Sequence, residues 1–340
     1  MKITIHQIAT HSLSCEPLIE RAANGELVCV CQCGGVTEPN IENRVLVYHS
    51  KDNGETWFGG EKIYPEDGNA VYCTELTAHG DTLTAYLTVH SGHFVIWNCV
   101  MMKSHDNGYT WENCGHPPFF SEYTFIRGEL ITRDGRVLLP YQTYPVTKEL
   151  RERGIKEKGP DVYVMDIGTP YCESGVIIFG KNGEAPQKYC ACHLDMTNNW
   201  VWSEPTLAEL TDGTIVMLMR CCRSGRLYRC DSHDGGITWD ECIETDIPNP
   251  SNKPRLIPLD DGRIALFHTP NPESRKGTWT RRTPYEMWIS DDDMKTWGQK
   301  IRLTDFPGDF SYTDGFYENG QFHLVIEHNR HSILYFNIIL

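Results

Sequence analysis

The chain has 340 residues, 40% of them hydrophobic and 23% charged, enough to bury a sizeable core in two ordinary domains or one large all-β unit. Its formal net charge of −15, from 31 basic and 46 acidic residues, argues against nucleic acid or an anionic membrane as the main partner, since both demand a basic face. No apolar run approaches the length of a membrane span, so the expectation is a soluble chain.

The first segment, MKITIHQIATHS, alternates Ile3 and Ile5 with polar residues and lacks the unbroken apolar stretch of a signal peptide. It predicts a strand, and the expected location is cytoplasmic. The next notable stretch, CVCQC, puts Cys29, Cys31 and Cys33 on one face of a strand, because side chains alternate. Fourteen cysteines would suit a disulfide scaffold in a small secreted protein. Here they predict free thiols acting as small core hydrophobes. No spaced cysteine pair and no partner histidine sits beside CVCQC, so neither a metal nor another cofactor is expected.

Residues 50–57 read SKDNGETW, and the pattern returns as SHDNGYTW (104–111), SHDGGITW (232–239) and, with Met294 in place of glycine, SDDDMKTW (290–297). Between these copies runs a second signal: a glycine turn flanked by apolar runs, at Gly25, Gly80, Gly135, Gly213, Gly262 and Gly320. Asp-Gly and Asn-Gly between alternating strands are strong hairpin signals. Six such hairpins, spaced by roughly fifty to eighty residues, predict an all-β fold, a six-bladed β-propeller of four-stranded blades.

The eight-residue motif then fits the turn between the third and fourth strands of a blade. Its Asp can hold backbone amides of its own turn, its Gly supplies the left-handed position and its Trp can cover the blade's flank. That work is architectural, and the acidic pattern of a calcium loop is missing. The third blade shows no clear copy; FGKNGEAP near Phe179 is the candidate remnant. The terminal SILYFNIIL is expected to pair near the N-terminal strand, closing the ring and removing exposed edges. The whole chain, 1–340, is read as one domain with a charged insertion around 145–173. TKELRERGIKEKGPD predicts a short helix there, as a solvated insertion rather than a lid.

Counting back eight or nine residues from each hairpin glycine gives Glu16, Tyr72 or Val71, Arg127, Glu204, Lys253 and Tyr312. Counting forward along the second strands gives the segment holding Glu38, then His90 and His93, Tyr141 and Gln142, Arg220, His268, and Glu327 with His328. So polar a set at one address in every blade is informative, because buried charge is costly unless paired. The plain alternative is a water-filled channel lined by solvated groups. The histidines come from different blades, and nothing in their spacing marks a metal site.

The motif S-x-D-x-G-x-T-W resembles the Asp box, or BNR repeat, of the sialidase superfamily, and the resemblance covers almost the whole chain. Sialidases use a Tyr nucleophile activated by a Glu, a separate acid, and three Arg that grip the substrate carboxylate. The resemblance implies Tyr312, within GDFSYTDGFYENG, as the nucleophile, Glu204 as the activating carboxylate and Arg220 as the second Arg. It implies Glu327 as the Glu that holds the first Arg, and offers Arg281 and Arg282 for the third. The chain departs from the family at two places. SCEPLIE puts Glu16 where the first Arg belongs, and the acid has no clear match, Glu38 being nearest. The substrate-binding set is therefore expected to be Arg220, Glu16, Arg127, Lys253, Arg281, Arg282, Glu327, His90, Gln142 and His268, with Tyr312, Glu204 and Glu38 catalytic.

The leading expectation is a sialidase-like glycoside hydrolase acting on a terminal sugar, with a glycan as partner. A lyase acting on a uronate glycan, with Tyr312 as base and Arg220 and Lys253 neutralising the carboxylate, is one alternative. A non-catalytic carbohydrate-binding propeller is another.

Overall fold

A computed structural model of the chain describes residues 1–117, 120–180, 185–197, 200–222 and 224–340. After β1 (Lys2–Thr10) come β2 (Ser14–Arg21), β3 (Leu27–Cys33), β4 (Arg44–Ser50) and β5 (Phe58–Lys62), which form blade 1. Blade 2 holds β6 (Ala70–His79), β7 (Thr82–His90), β8 (Trp97–Ser104) and β9 (Glu112–Asn113). Blade 3 holds β10 (Thr124–Ile126) and β11 (Leu130–Ile131) together in first position, then β12 (Val137–Thr143), β13 (Tyr171–Phe179) and β14 (Gln187–Asp195). The helix α1 (Lys148–Lys158) lies between β12 and β13.

Blade 4 is β15 (Thr206–Glu209), β16 (Ile215–Arg220), β17 (Arg226–Ser232) and β18 (Ile243–Pro248). Blade 5 is β19 (Arg255–Pro258), β20 (Ile264–His268), β21 (Glu286–Ser290) and β22 (Gln299–Arg302). Blade 6 takes β23 (Phe310–Glu318), β24 (Gln321–His328) and β25 (Ser332–Ile339), and its fourth strand is β1. The fold is a six-bladed β-propeller. The last strand pairs antiparallel with the first, from Lys2 opposite Ile339 to Thr10 opposite Ser332, as SILYFNIIL predicts.

The six hairpin glycines all join a first strand to a second, with φ between 61° and 90°. The boxes occupy the third-to-fourth-strand turns of blades 1, 2, 4 and 5. Their hydrogen bonds repeat almost without change. The Ser50, Ser104, Ser232 and Ser290 hydroxyls donate to the box Asp at 2.8–2.9 Å. That Asp accepts the Thr amide at 2.8 Å in each of the four. In the degenerate copy Met294 itself takes the left-handed conformation, φ 57°, and its amide still donates to Ser290 Oγ at 2.9 Å. The candidate remnant in FGKNGEAP falls on 181–184, outside the described residues.

The chain groups into two compact units: Met1–Phe125 with Thr143–Pro170 and Asp314–Leu340, and Ile126–Gln142 with Tyr171–Thr313. In the first unit the core lies between facing blades. Leu18, Val28 and Val47 of blade 1 pack with Val71, Leu76, Leu83 and Met102 of blade 2. Cys29, Cys31 and Cys33 join Ile8, Val325, Ile333 and Tyr335 in a second cluster, as small core hydrophobes. All fourteen cysteines carry free thiols. The insertion belongs to this unit and is anchored, with Val162, Val164 and Ile167 buried. In α1 a side chain at Gly154 would meet Ile167 at 2.6 Å. In the second unit, Ala208, Val216 and Leu218 pack with Leu256, Leu266, Trp288 and Met294. Among the described residues no helix is long and apolar enough to cross a membrane.

Candidate active site

The first strands begin with an unusual backbone. Glu16, Glu204 and Tyr312 take left-handed conformations, with φ of 47°, 40° and 57°. Such a residue costs on the order of 1–3 kcal/mol and persists where its surroundings fix it. Two of the three, Glu16 and Glu204, precede a proline. Glu16-Pro17, Glu204-Pro205 and Lys253-Pro254 each stand nine residues before a hairpin glycine. Proline disfavours the helical region for the residue before it and offers no amide to the ladder. In blade 1 the register shifts between Cys15 and Leu18, around that Pro. The repeated charged-residue–Pro dipeptide is thus a sequence signal for these positions that counting from glycines alone does not use.

In the second unit these entries bring together a carboxylate, guanidinium groups and a phenol. Glu204 Oε1 accepts from Arg220 Nη2 at 2.8 Å and from Arg127 Nη2 at 3.3 Å. All three side chains are buried. A buried carboxylate is tolerable on such terms because opposite charge and hydrogen bonds replace lost water. Glu204 Oε2 has no hydrogen-bond partner among the described residues. The Glu204 amide donates to Gln142 Oε1 at 2.5 Å, so Gln142 positions the backbone of Glu204.

Arg220 spans the site. It donates from Nε to the Trp202 carbonyl at 3.0 Å and from Nη1 to the Ser251 carbonyl at 2.6 Å. Its Nη2 reaches Tyr312 Oη at 3.5 Å. Arg282 donates to the same Ser251 carbonyl at 3.0 Å and to Ser311 Oγ at 3.0 Å. The guanidinium carbons of Arg220 and Arg282 lie 5.6 and 5.3 Å from the centroid of the Tyr312 ring, within reach for cation–π attraction. The Tyr312 amide donates to Asn252 Oδ1 at 3.4 Å, and Asn252 Nδ2 donates to the Phe310 carbonyl at 2.9 Å. Ser251 and Asn252 lie outside the set expected from the sequence. Their signal is the stretch SNKP at the start of the fifth blade.

The other expected residues of this unit divide. Lys253 is buried at its strand entry. Arg281 turns to an exposed pair with Asp309 at 3.2 Å, so Arg282 is the one gathered at Tyr312. His268 packs edge-on against Trp288 at 4.4 Å. Neither of its ring nitrogens has a hydrogen-bond partner among the described residues. Burial, with Lys300 adding, lowers its pKa to about 3, so it is a neutral core histidine near neutral pH.

In the first unit, Tyr72 Oη donates to Glu16 Oε2, and the Glu16 amide donates to Glu327 Oε2 at 3.2 Å. Two carboxylates and a phenol therefore stand together where the resemblance expects a carboxylate holding an Arg. Glu38 forms an ion pair with Arg330. His90 accepts from the Gly92 amide at 3.1 Å and packs at a tilt against Phe94, ring centroids 4.1 Å apart. Burial lowers its pKa to about 3.

The fold is that of a sialidase-like β-propeller. The family model described as BNR repeat-like domain matches residues 61–324, and the chain belongs to that family, within the sialidase/BNR-repeat superfamily. No curated protein matches it in sequence. Among solved structures it is similar to a Hadza microbial sialidase, with a TM-score of 0.73 and 16% identity, over 97% of this chain and 66% of that one. A Dyadobacter fermentans protein of unknown function matches with a TM-score of 0.72 and 15% identity, over 99% of both chains. The Trypanosoma rangeli sialidase in complex with 2,3-difluorosialic acid, a covalent intermediate, matches with a TM-score of 0.71 and 13% identity, over 98% of this chain and 59% of that one. The chain thus spans less than two thirds of the length of these two sialidases.

Proposed function

We propose that the protein is a glycoside hydrolase that removes a terminal, carboxylate-bearing sugar from a glycan, with Tyr312 as nucleophile and Glu204 as its base. One observation carries this reading. Glu204 Oε1 is tied by two buried guanidinium groups, Arg220 Nη2 reaches on to Tyr312 Oη, and Glu204 Oε2 has no donor among the described residues. Oε1 is thus fixed, and Oε2 is the oxygen proposed to take the phenol proton once bound substrate brings Tyr312 Oη to it, since no hydrogen bond joins the two here.

In the proposed step Tyr312 Oη bonds to the anomeric carbon as the glycosidic C–O bond breaks. The phenol proton goes to Glu204 Oε2, and the leaving oxygen takes its electron pair and a proton from an acid. Water then attacks the same carbon and gives a proton to the acid deprotonated in the first step, while the Tyr–sugar bond breaks and the phenol recovers its proton from Glu204. Arg220 and Arg282, over the ring, favour negative charge developing on Oη and can pair with a substrate carboxylate. The Trypanosoma rangeli sialidase with 2,3-difluorosialic acid is a covalent intermediate, which supports a nucleophilic route on this fold.

A second reading, glycan binding without turnover, draws on one observation. Glu16 stands where the resemblance expects the first Arg. Assay against aryl sialosides, aryl uronides and uronate polysaccharides separates the readings. Tyr312→Phe and Glu204→Gln should each lower kcat by about 10²–10⁴-fold. Unchanged turnover in the Tyr312 and Glu204 variants would remove both from the mechanism. Binding with no turnover by the wild type would leave the second reading, and an unsaturated, absorbing product would indicate a lyase.

A further inference from the structure

The second unit contains a group of thiols that the proposed chemistry does not use. Cys192 comes from β14, the outer strand of blade 3. Cys230 comes from β17 in blade 4, and Cys242 from the turn just before β18. Their three Sγ atoms all lie within 4.8 Å of one another. Met219, on β16, adds a fourth sulfur, its Sδ 3.8 Å from Cys192 Sγ. We propose that Cys192, Cys230 and Cys242 form a binding site for one thiophilic d10 cation, Zn²⁺ or Cu⁺.

The geometry needs little adjustment. An ion bound at a metal–sulfur distance of about 2.3 Å, with near-tetrahedral angles, sets its sulfurs roughly 3.8 Å apart. Small side-chain rotations bring sulfurs already within 4.8 Å to that spacing. Two of the three ligands stand on strands, each hydrogen-bonded within its own blade, which hold them in place without the ion. Cys230 is buried while Cys192 and Cys242 are partly exposed, so the site has both a dry floor and a way in. Three thiols with a neighbouring thioether form a soft donor set, which selects Cu⁺ or Zn²⁺ over the hard cations. Binding replaces protons: Zn²⁺ and three thiols give a tris-thiolate complex and three protons, so affinity should rise with pH.

A nearby group shows what a poorer site looks like. Glu173, Cys190 and His193 also lie within 4.8 Å of one another. There Glu173 is already neutralised by Lys188 at 2.8 Å and takes a hydrogen bond from Tyr141 at 2.9 Å. A cation would have to displace that lysine, whereas the three-thiol group contains no carboxylate already held by a lysine. The group also ties the outer strand of blade 3 to blade 4, and no box is described in the third blade.

The test uses the full chain, reduced and handled without oxygen. Titration with Co²⁺, a visible stand-in for Zn²⁺, should produce sulfur-to-metal charge-transfer absorption that saturates at one equivalent per chain and is erased by added Zn²⁺. A parallel titration with Cu⁺ against a competing chelator decides which ion is preferred. Cys242→Ser, partly exposed and therefore tolerable, and Cys192→Ser should each abolish the band while near-ultraviolet circular dichroism stays unchanged. Cys190→Ser, His193→Ala and Cys29→Ser should keep it. Loss of stoichiometric binding in the wild type, a band that survives Cys242→Ser and Cys192→Ser, or a band that follows Cys29 would each overturn the proposal. So would disulfide pairing of two of these thiols, on later exposure to oxygen, at the same rate with and without added metal.

Discussion

The box turns and the entries of the first strands both recur from blade to blade, and they recur in opposite ways. Four boxes keep the same Ser, Asp, Thr and Trp and the same hydrogen bonds within a tenth or two of an ångström. The entries keep only their place. Glu16, Tyr72, Arg127, Glu204, Lys253 and Tyr312 share an address yet are of four residue types, all buried, and three of them hold a left-handed backbone. Repetition of residues marks a part that closes a turn. Variety at a fixed address, with buried charge and strained backbone, marks a part under other demands.

The largest effect on stability should come from breaking the entry network. Arg220→Met removes donors to Glu204, Trp202 and Ser251 at once. Arg127 remains on Glu204, so the carboxylate is not stranded alone. Losing one partner of a buried charge pair costs about 3–5 kcal/mol. Denaturant unfolding measures it. A loss below about 1 kcal/mol, the range of surface ion pairs, would mean that the network is wetter than its burial implies.

Glycines of the two turn types should separate next. A Cβ at Gly54, in the first box, would run into ring carbons of Tyr335, which is fully buried. Gly54→Ala therefore combines overpacking, about 1–3 kcal/mol, with a backbone at φ 94°. At the hairpin Gly25 nothing lies within 4 Å of the added carbon. Gly25→Ala should cost about 1–2 kcal/mol, the conformational part alone. Equal losses at both sites would contradict the division between a glycine needed for space and one needed for its torsion angle.

The same contrast explains what could be read from residues alone. Boxes and hairpins are local: each sets its geometry within eight residues, so the pattern in the sequence carries the six-bladed fold and even the pairing of SILYFNIIL with the first strand. The Glu204 network is assembled from blades 3 to 6, and counting from a glycine gives an address, not a contact. It placed Arg220 among the candidates, and the family resemblance offered Arg281 and Arg282. It had no means of separating Arg282, beside the Tyr312 ring, from Arg281, drawn away by Asp309. Nor did it distinguish His268, a neutral core ring against Trp288, from a ligand-binding histidine. Cys192, Cys230 and Cys242 are separated by 37 and 11 positions with no metal-like spacing, and only the packing of two blades makes them neighbours.

The smallest effect tests whether the boxes are as uniform in energy as in shape. Hydrogen bonds from the Thr56 hydroxyl and amide, and then from Ser50, hold the Asp52 carboxyl at about 2, and Asp234 and Asp292 are held likewise. In the unfolded chain an Asp titrates near about 3.9. The ionised boxes therefore stabilise the fold fully above pH ~4, and this contribution is lost as pH falls towards about 2. The buried histidines act in a different window. His90 and His268 stay neutral in the fold down to about pH 3, while the unfolded chain takes up protons below pH ~6.5, so stability falls by up to about 1.4 kcal/mol per pH unit for each. Unfolding midpoints followed from pH 7 to 2.5 should show two regimes. Asp52→Asn should lower the whole curve slightly and flatten it only below pH ~4, whereas His268→Leu should flatten the stretch between pH ~6.5 and ~4. An Asp52→Asn curve that runs parallel to the wild type throughout would mean that the box carboxylate gains nothing from its donors that it did not already have in water.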